Sequence, residues 1–118
     1  MLLIPLNPVT KKNSQRIVMA GNRPVVIPSK AYKQYEKDAV LFLRPLGIDY
    51  PVNIKCKFYM KTRRRVDLTN LLEAIDDVMV KAGTLKDDNY EIVAGHDGSR
   101  VYYDKENPRT EIYIEEIE

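Results

Sequence analysis

The sequence predicts an α+β fold in one domain, residues 1–118, with a small, mostly antiparallel or mixed sheet and two main helices packed on it. Three observations predict it. Val52, Ile54, Cys56, Phe58 and Met60 alternate with Asn53, Lys55, Lys57, Tyr59 and Lys61, the period-two pattern of a strand with one dry face and one wet, basic face. Leu68, Leu71, Leu72, Ile75, Val78, Met79 and Ala82 recur at helical spacing and mark one buried stripe. The length of 118 residues is that of about one domain, enough to enclose a core without disulfides or a structural metal.

In chain order, Leu2 to Leu6 is a short apolar segment that ends in Asn7-Pro8-Val9, a strand running into a loop. Gln15 to Ala20 and Pro24 to Ile27 flank Gly21-Asn22, residues that tolerate positive φ, so a β-hairpin is expected. Ser29 is placed to cap a first helix in which Tyr32, Tyr35, Ala39, Val40 and Leu43 recur at helical spacing to about Arg44. After the strand at 52–60, Asp67 is placed to cap the second helix and Gly83 to end it. Lys86 to Asn89 reads as a polar turn, Tyr90 to Ala94 as a strand, and Gly95 to Ser99 as a turn. Arg100 to Tyr103 and Thr110 to Ile117 read as the closing strands.

The net charge of +2 hides a division. Residues 1–66 hold 14 Lys and Arg against three acids, and residues 67–118 hold five against 14 acids. Such asymmetry points to a basic surface for a polyanion beside carboxylates suited to divalent cations, or to halves whose charges pair on folding. With Cys56 and His96 each single of its kind, no Cys/His zinc constellation can form, and the lack of a cysteine pair fits a reducing compartment. No apolar run reaches the roughly 18 residues of a membrane span, and the first residues do not resemble a signal peptide, so a soluble cytoplasmic protein is expected.

Cleavage of phosphodiesters with metal assistance needs carboxylates that share a cation able to activate water and offset charge at phosphorus. Asp67, Asn70, Glu73 and Asp77 follow one another at spacings of three or four, a polar stripe opposite the leucines. Taken alone, Asp67 reads as a helix cap before a ligand, Asp76 and Asp77 as solvated helix-face residues, and Asp87-Asp88 as a turn pair. For phosphate contact the sequence offers Lys57, Lys61, Arg63, Arg64 and Arg65, with Lys11, Lys12, Asn13 and Arg16 as a further arm. Tyr32, Tyr35 and Tyr59 read as core residues before stacking platforms, and His96 as an exposed turn residue outside the site.

The run Arg64-Arg65-Val66-Asp67-Leu68-Thr69-Asn70-Leu71, the helix end Lys81-Ala82-Gly83 and the following Leu85-Lys86-Asp87-Asp88 resemble RusA-type Holliday junction resolvases. Ile4-Pro5-Leu6-Asn7-Pro8-Val9 and Pro28-Ser29-Lys30-Ala31-Tyr32 are also similar to that family, so the resemblance spans nearly the whole chain. It implies a small homodimeric, Mg²⁺-dependent (alternatively Mn²⁺-dependent) bacterial endonuclease, often encoded by phages or prophages, that places paired nicks in four-way DNA junctions during recombination and repair. By motif position Asp67 corresponds to the first acid of the family's Asp-x-Asp-Asn signature and Asp88 to its downstream catalytic acid. The second acid is Thr69 here and the family's lysine is Glu73. Thr69 and Glu73 lie four apart, so Glu73 is expected to return a carboxylate toward the position the missing Asp leaves. The expected catalytic and metal-binding set is Asp67, Glu73 and Asp88, supported by Thr69, Asn70 and Asp87. The competing expectations are a catalytically impaired protein that binds branched DNA or RNA, and an interaction protein with a dipolar charge pattern.

Overall fold

The computed structural model describes residues 1–11 and 15–117, and at 15, 16 and 28 the backbone alone. The elements are β1 (Leu2–Ile4), β2 (Gln15–Ala20), β3 (Arg23–Pro28), α1 (Lys30–Ala39) with a 3₁₀ turn at Val40–Phe42, β4 (Val52–Met60), α2 (Leu68–Lys81), β5 (Val93–Gly95), β6 (Arg100–Tyr103) and β7 (Arg109–Glu116). The fold is the expected α+β type with a mixed sheet. β4 lies at its centre, antiparallel to β7, which pairs in turn with β1. On the other side β4 is parallel to β5 at its start and to β6 at its end.

Alternation in β4 sorts the two faces. Val52, Ile54, Cys56 and Phe58 are buried against Tyr32, Tyr35 and Ala39 of α1 and Leu71, Ile75, Val78 and Met79 of α2, forming one core with Ile4 and Ile112. The opposite face carries Asn53, Lys55, Lys57 and Tyr59 of β4, Arg100 and Tyr102 of β6, and Arg109, Glu111, Tyr113 and Glu115 of β7, and none of these is fully buried. Among the described residues, α1 and α2 pack on the other face and no helix covers this one.

Between the stretches where β5 and β6 pair with it, β4 would expose bare backbone at residues 54–56. The turn at 96–99 fills that gap with side chains. His96 Nδ1 lies 2.9 Å from the Ile54 carbonyl, the Cys56 N–H donates to Ser99 Oγ at 3.0 Å, and Asn53 exchanges two hydrogen bonds with the Asp97 backbone. Pairing that a strand would have supplied is thereby met by polar side chains.

Both helices end by recognisable chemistry. Ser29 Oγ accepts from the Tyr32 N–H at 3.2 Å and starts α1. At the end of α2 the Thr84 N–H reaches the Met79 carbonyl and the Gly83 N–H the Val80 carbonyl, with Gly83 at φ 79°, a Schellman motif. Some boundaries differ from the sequence expectation. β1 stops at Ile4 because Pro5 has no N–H to extend the ladder. The first helix gives way to the 3₁₀ turn before Arg44. The strand expected from Tyr90 shrinks to Val93–Gly95, since Asn89 Oδ1 accepts from the Glu91 N–H and its carbonyl from the N–H groups of Ile92 and Val93, folding 90–92 into a turn.

β2 and β3 form a separate antiparallel hairpin, from Gln15↔Pro28 to Ala20↔Arg23, turning at Gly21-Asn22. Gly21 alone of the pair has positive φ, 67°, the pattern of a type II′ turn. Among its described side chains, Ile17 is 71%, Met19 65% and Val26 57% exposed. Among the described residues no helix is long and apolar enough to cross a membrane.

Candidate active site and nucleic-acid interface

Asp67 sits at the cap position of α2 in extended conformation, φ −91° and ψ 129°, and its carbonyl accepts the Leu71 N–H at 3.2 Å. Its side chain makes no capping bond. It accepts instead from Asn70 Nδ2 at 3.3 Å, so an exposed carboxylate stands at the helix start, available to other partners. Thr69 and Glu73 are exposed on the turns that follow. The second carboxylate pair lies in the turn after α2. Asp87 organises that turn, its Oδ1 accepting the Asp88 N–H at 2.8 Å and its Oδ2 accepting from Asn89 Nδ2 at 3.2 Å. The Asp88 carboxyl is held above the ordinary range by partial burial, then by Asp87 and by the charge of Asp77.

Asp77, expected to be a solvated helix-face residue, is the acid that carries the cation here. Lys11 Nζ forms an ion pair with the Asp77 carboxylate and lies 5.8 Å from the centre of the Tyr32 ring. Asp77 raises the lysine's pKa first by this hydrogen bond, against desolvation, and Glu36 and Glu73 add to the effect. Lys11 is therefore engaged with protein acids instead of extending as a free arm. Lys12 and Asn13 lie outside the described residues, and Arg16 contributes a strand position whose side chain is not described.

Metal-assisted hydrolysis would draw on Asp67, Glu73 and Asp88. Among the described residues no group of three or more His, Cys, Asp or Glu side chains is placed to hold a metal ion. The carboxylates that the chemistry asks for are thus present in the chain, and among the described residues they are not gathered into a group of three around one cation position.

Two acidic and basic residues depart from the solvated roles expected of them. Asp76, only 9% exposed, points its Oδ2 at His96 Nε2, 2.9 Å away, while its Oδ1 is buried with no partner. His96 is half-buried, with both ring nitrogens facing oxygens, those of Asp76 and of the Ile54 carbonyl. A neutral ring donates once and an imidazolium twice, so this setting favours the charged form. Burial opposes it, and the Asp76 contact and the Ile54 carbonyl outweigh burial, raising the His96 pKa. Burial also raises that of Asp76, opposed by His96. A sequence signal for Asp76 existed: it falls four residues after Leu72 and three before Met79, on the margin of the buried stripe.

The basic residues lie on the open sheet face and in the loop that follows β4. Lys57 is half-buried on the open sheet face, and Lys61, Arg63, Arg64 and Arg65 are exposed in the loop between β4 and α2. Asn7 Oδ1 accepts the Lys61 N–H at 2.9 Å and ties the N-terminal segment to the start of this loop. A groove of about 330 Å³ separates the loop from residues 7–10, and another of about 360 Å³ separates it from β6. Tyr32 and Tyr35 are core residues, as expected. Tyr59 is not: on the open face it stacks on Tyr102, ring centres 4.9 Å apart and planes 17° apart, and carries the Arg109 guanidinium 3.7 Å from its other side. The parallel register that sets Tyr59 beside Tyr102 has no local sequence signal.

Comparison with known proteins places the chain in a family. The family model described as endodeoxyribonuclease RusA matches residues 5–115. A crossover junction endodeoxyribonuclease RusA from Aquifex aeolicus (strain VF5) is 40% identical over 43 residues, which are 36% of this chain and 34% of that protein. The chain thus matches about a third of the length of that curated relative. With all but the first four and last three residues inside the family match, the chain belongs to the RusA endodeoxyribonuclease family.

Proposed function

We propose that the chain is a divalent-metal-dependent endonuclease that resolves four-way DNA junctions by paired nicks. The observation that supports the reading best is the arginine loop 63–65 running directly into the uncapped carboxylate of Asp67, within a chain of the RusA family. Lys57, Lys61 and Arg63 to Arg65 hold phosphates, which fixes the position of a strand without reading its bases. Asp67, Glu73 and Asp88 are the catalytic carboxylates, with Thr69, Asn70 and Asp87 positioning them. Mg²⁺, replaceable by Mn²⁺, belongs to this reading by family membership and by the chemistry of carboxylates. Two copies acting about a two-fold axis suit two symmetric cuts, and the apolar hairpin residues Ile17 and Met19, exposed away from the core, offer surface for a homodimer. The setting is the cytoplasm, where the DNA lies.

The test incubates labelled four-way junction and matched linear duplex with the protein in Mg²⁺ or EDTA, alongside Asp88→Asn. Symmetric nicks on the junction alone, abolished by EDTA and by Asp88→Asn, are expected. A second reading, a branched-DNA binder impaired in catalysis, is favoured by one observation, the acids that are not gathered. Tight junction binding without cleavage in either metal overturns the nuclease in favour of the binder, and equal affinity for junction and duplex overturns both.

A further inference from the structure

Among the described residues two arginines lie over tyrosine rings, and they differ in what their N–H groups meet. Arg109 has its Cζ 3.7 Å from the centre of the Tyr59 ring, and its donors are occupied inside the fold by Asp104 Oδ2 at 3.0 Å, Glu111 Oε2 at 2.9 Å and the Asn107 carbonyl at 2.9 Å. Arg63 has its Cζ 4.1 Å from the centre of the Tyr103 ring. Among the described residues no carboxylate pairs with it, nor with Arg64 or Arg65. The first pair is a clasp within the sheet. The second sets a guanidinium against a ring and leaves its donors to solvent.

The register Met60↔Tyr103 places Tyr103 and Val101 on the side of the sheet opposite to Tyr102. There a groove of about 360 Å³ runs beside the arginine loop, lined by Arg63, Tyr103 and Val66, the residue before Asp67. An exposed arginine gives up side-chain entropy when it binds an anion, and a ring that already holds the guanidinium removes part of that loss. A planar fork held in this way matches two oxygens of one phosphate.

We infer that Arg63 on Tyr103 is a phosphate clamp, in which Tyr103 is a positioning residue that holds the guanidinium for a two-point contact with one phosphodiester of the DNA strand. The inference rests on the DNA-processing reading and sets Arg63 apart from Arg64 and Arg65, which no ring holds among the described residues. Four residues of chain from Arg63 to Asp67 span at most roughly 14 Å, so the clamped phosphate belongs within a few nucleotides of the strand position that Asp67 reaches.

The experiment titrates fluorescein-labelled four-way junction and matched linear duplex in EDTA, followed by anisotropy at several salt concentrations. Tyr103 is 42% exposed, and Tyr103→Leu keeps an apolar side chain there without the ring's face. It is expected to weaken binding of both DNAs by about threefold, the scale of a cation–π contact at an exposed site. The slope of log K against log salt stays unchanged, because Arg63 keeps its charge. Tyr103→Phe keeps the ring and the wild-type affinity. Arg63→Lys keeps the charge and loses the fork, so it lowers affinity by itself and leaves little for Tyr103→Leu to remove in that background. Unchanged affinity in Tyr103→Leu, an equal loss in Tyr103→Phe, or a loss from Tyr103→Leu as large in the Arg63→Lys background as in the wild type overturns the inference. The function above is judged by the wild type's preference for junction over duplex. Coupling between Arg63 and Tyr103 without that preference defeats the function alone, and the preference without coupling defeats the clamp alone.

Discussion

Asp76 and His96 show what a buried pair does to a small fold. One oxygen of Asp76 has a partner and the other has none, so loss of His96 leaves a carboxylate desolvated and unanswered. His96→Ala is expected to cost about 2–3 kcal/mol in urea unfolding, the scale for stranding a largely buried charge. The pH dependence has a defined sign. Because the folded pKa of His96 lies above 6.5, its contribution is complete below that value and is lost as pH rises through the folded pKa. The raised Asp76 pKa acts in the same sense from 3.8 upward, since ionisation is penalised in the folded state. The thermal midpoint should therefore fall as pH rises above about 6.5, and His96→Gln should flatten that decline. Individual site residues were legible from sequence where a local rule fixed them, as with Asp67 at the start of α2. Asp76 and Tyr59 were not, because their partners come from the 96–99 turn and from β6.

Among the elements, those with a strong internal period were readable almost to the residue. β4 and α2 each carry their own alternation or stripe, and the Gly83 turn its own chemistry. β5 was misread in extent because it is three residues long and owes its pairing to β4, while Asn89 diverts the residues before it. Gly83→Ala puts a Cβ into a left-handed conformation, 3.4 Å from Pro45 Cβ, and should lower stability by roughly 1–2 kcal/mol with β4 intact, as urea titration would report. The hairpin is the opposite case. A two-stranded ribbon with exposed apolar residues is marginal alone, so the amide hydrogens of β2 and β3 should exchange far sooner than those of β4. Slow exchange that appears only on self-association or with DNA would identify which of them steadies it.

For the molecule as a whole, the division of charge seen in the sequence survives folding in part. Lys11 of the basic half pairs with Asp77 and Lys81 of the acidic half with Glu36, so some charges are answered across the division, while the arginine loop keeps its exposure. If Arg63, Arg64 and Arg65 each meet a phosphate, the triple alanine variant should lower the salt slope of DNA binding by roughly 0.9 for every phosphate it no longer neutralises. An unchanged slope would place the phosphates elsewhere. The radius of gyration of 14.8 Å exceeds the roughly 13.5 Å of a compact chain of this length, as expected with a hairpin standing away from the core. Fold class was readable at this scale, and the arrangement of the acids was not, since it depends on how β4, α2 and the turn after it meet.

The placement of β1 carries a consequence for how the protein is made. Leu2 to Ile4 are synthesised before the other strands of the sheet, yet their ladder partner is Thr110 to Ile112, and β4 also lacks its antiparallel neighbour until β7 has been synthesised. A nascent chain can form α1, α2 and the hairpin during translation, while one edge of β4 stays open and the N-terminal strand waits. Closure of the sheet is therefore a late event, and chains truncated within β7 should be recovered as aggregates or degradation products, never as partly active protein.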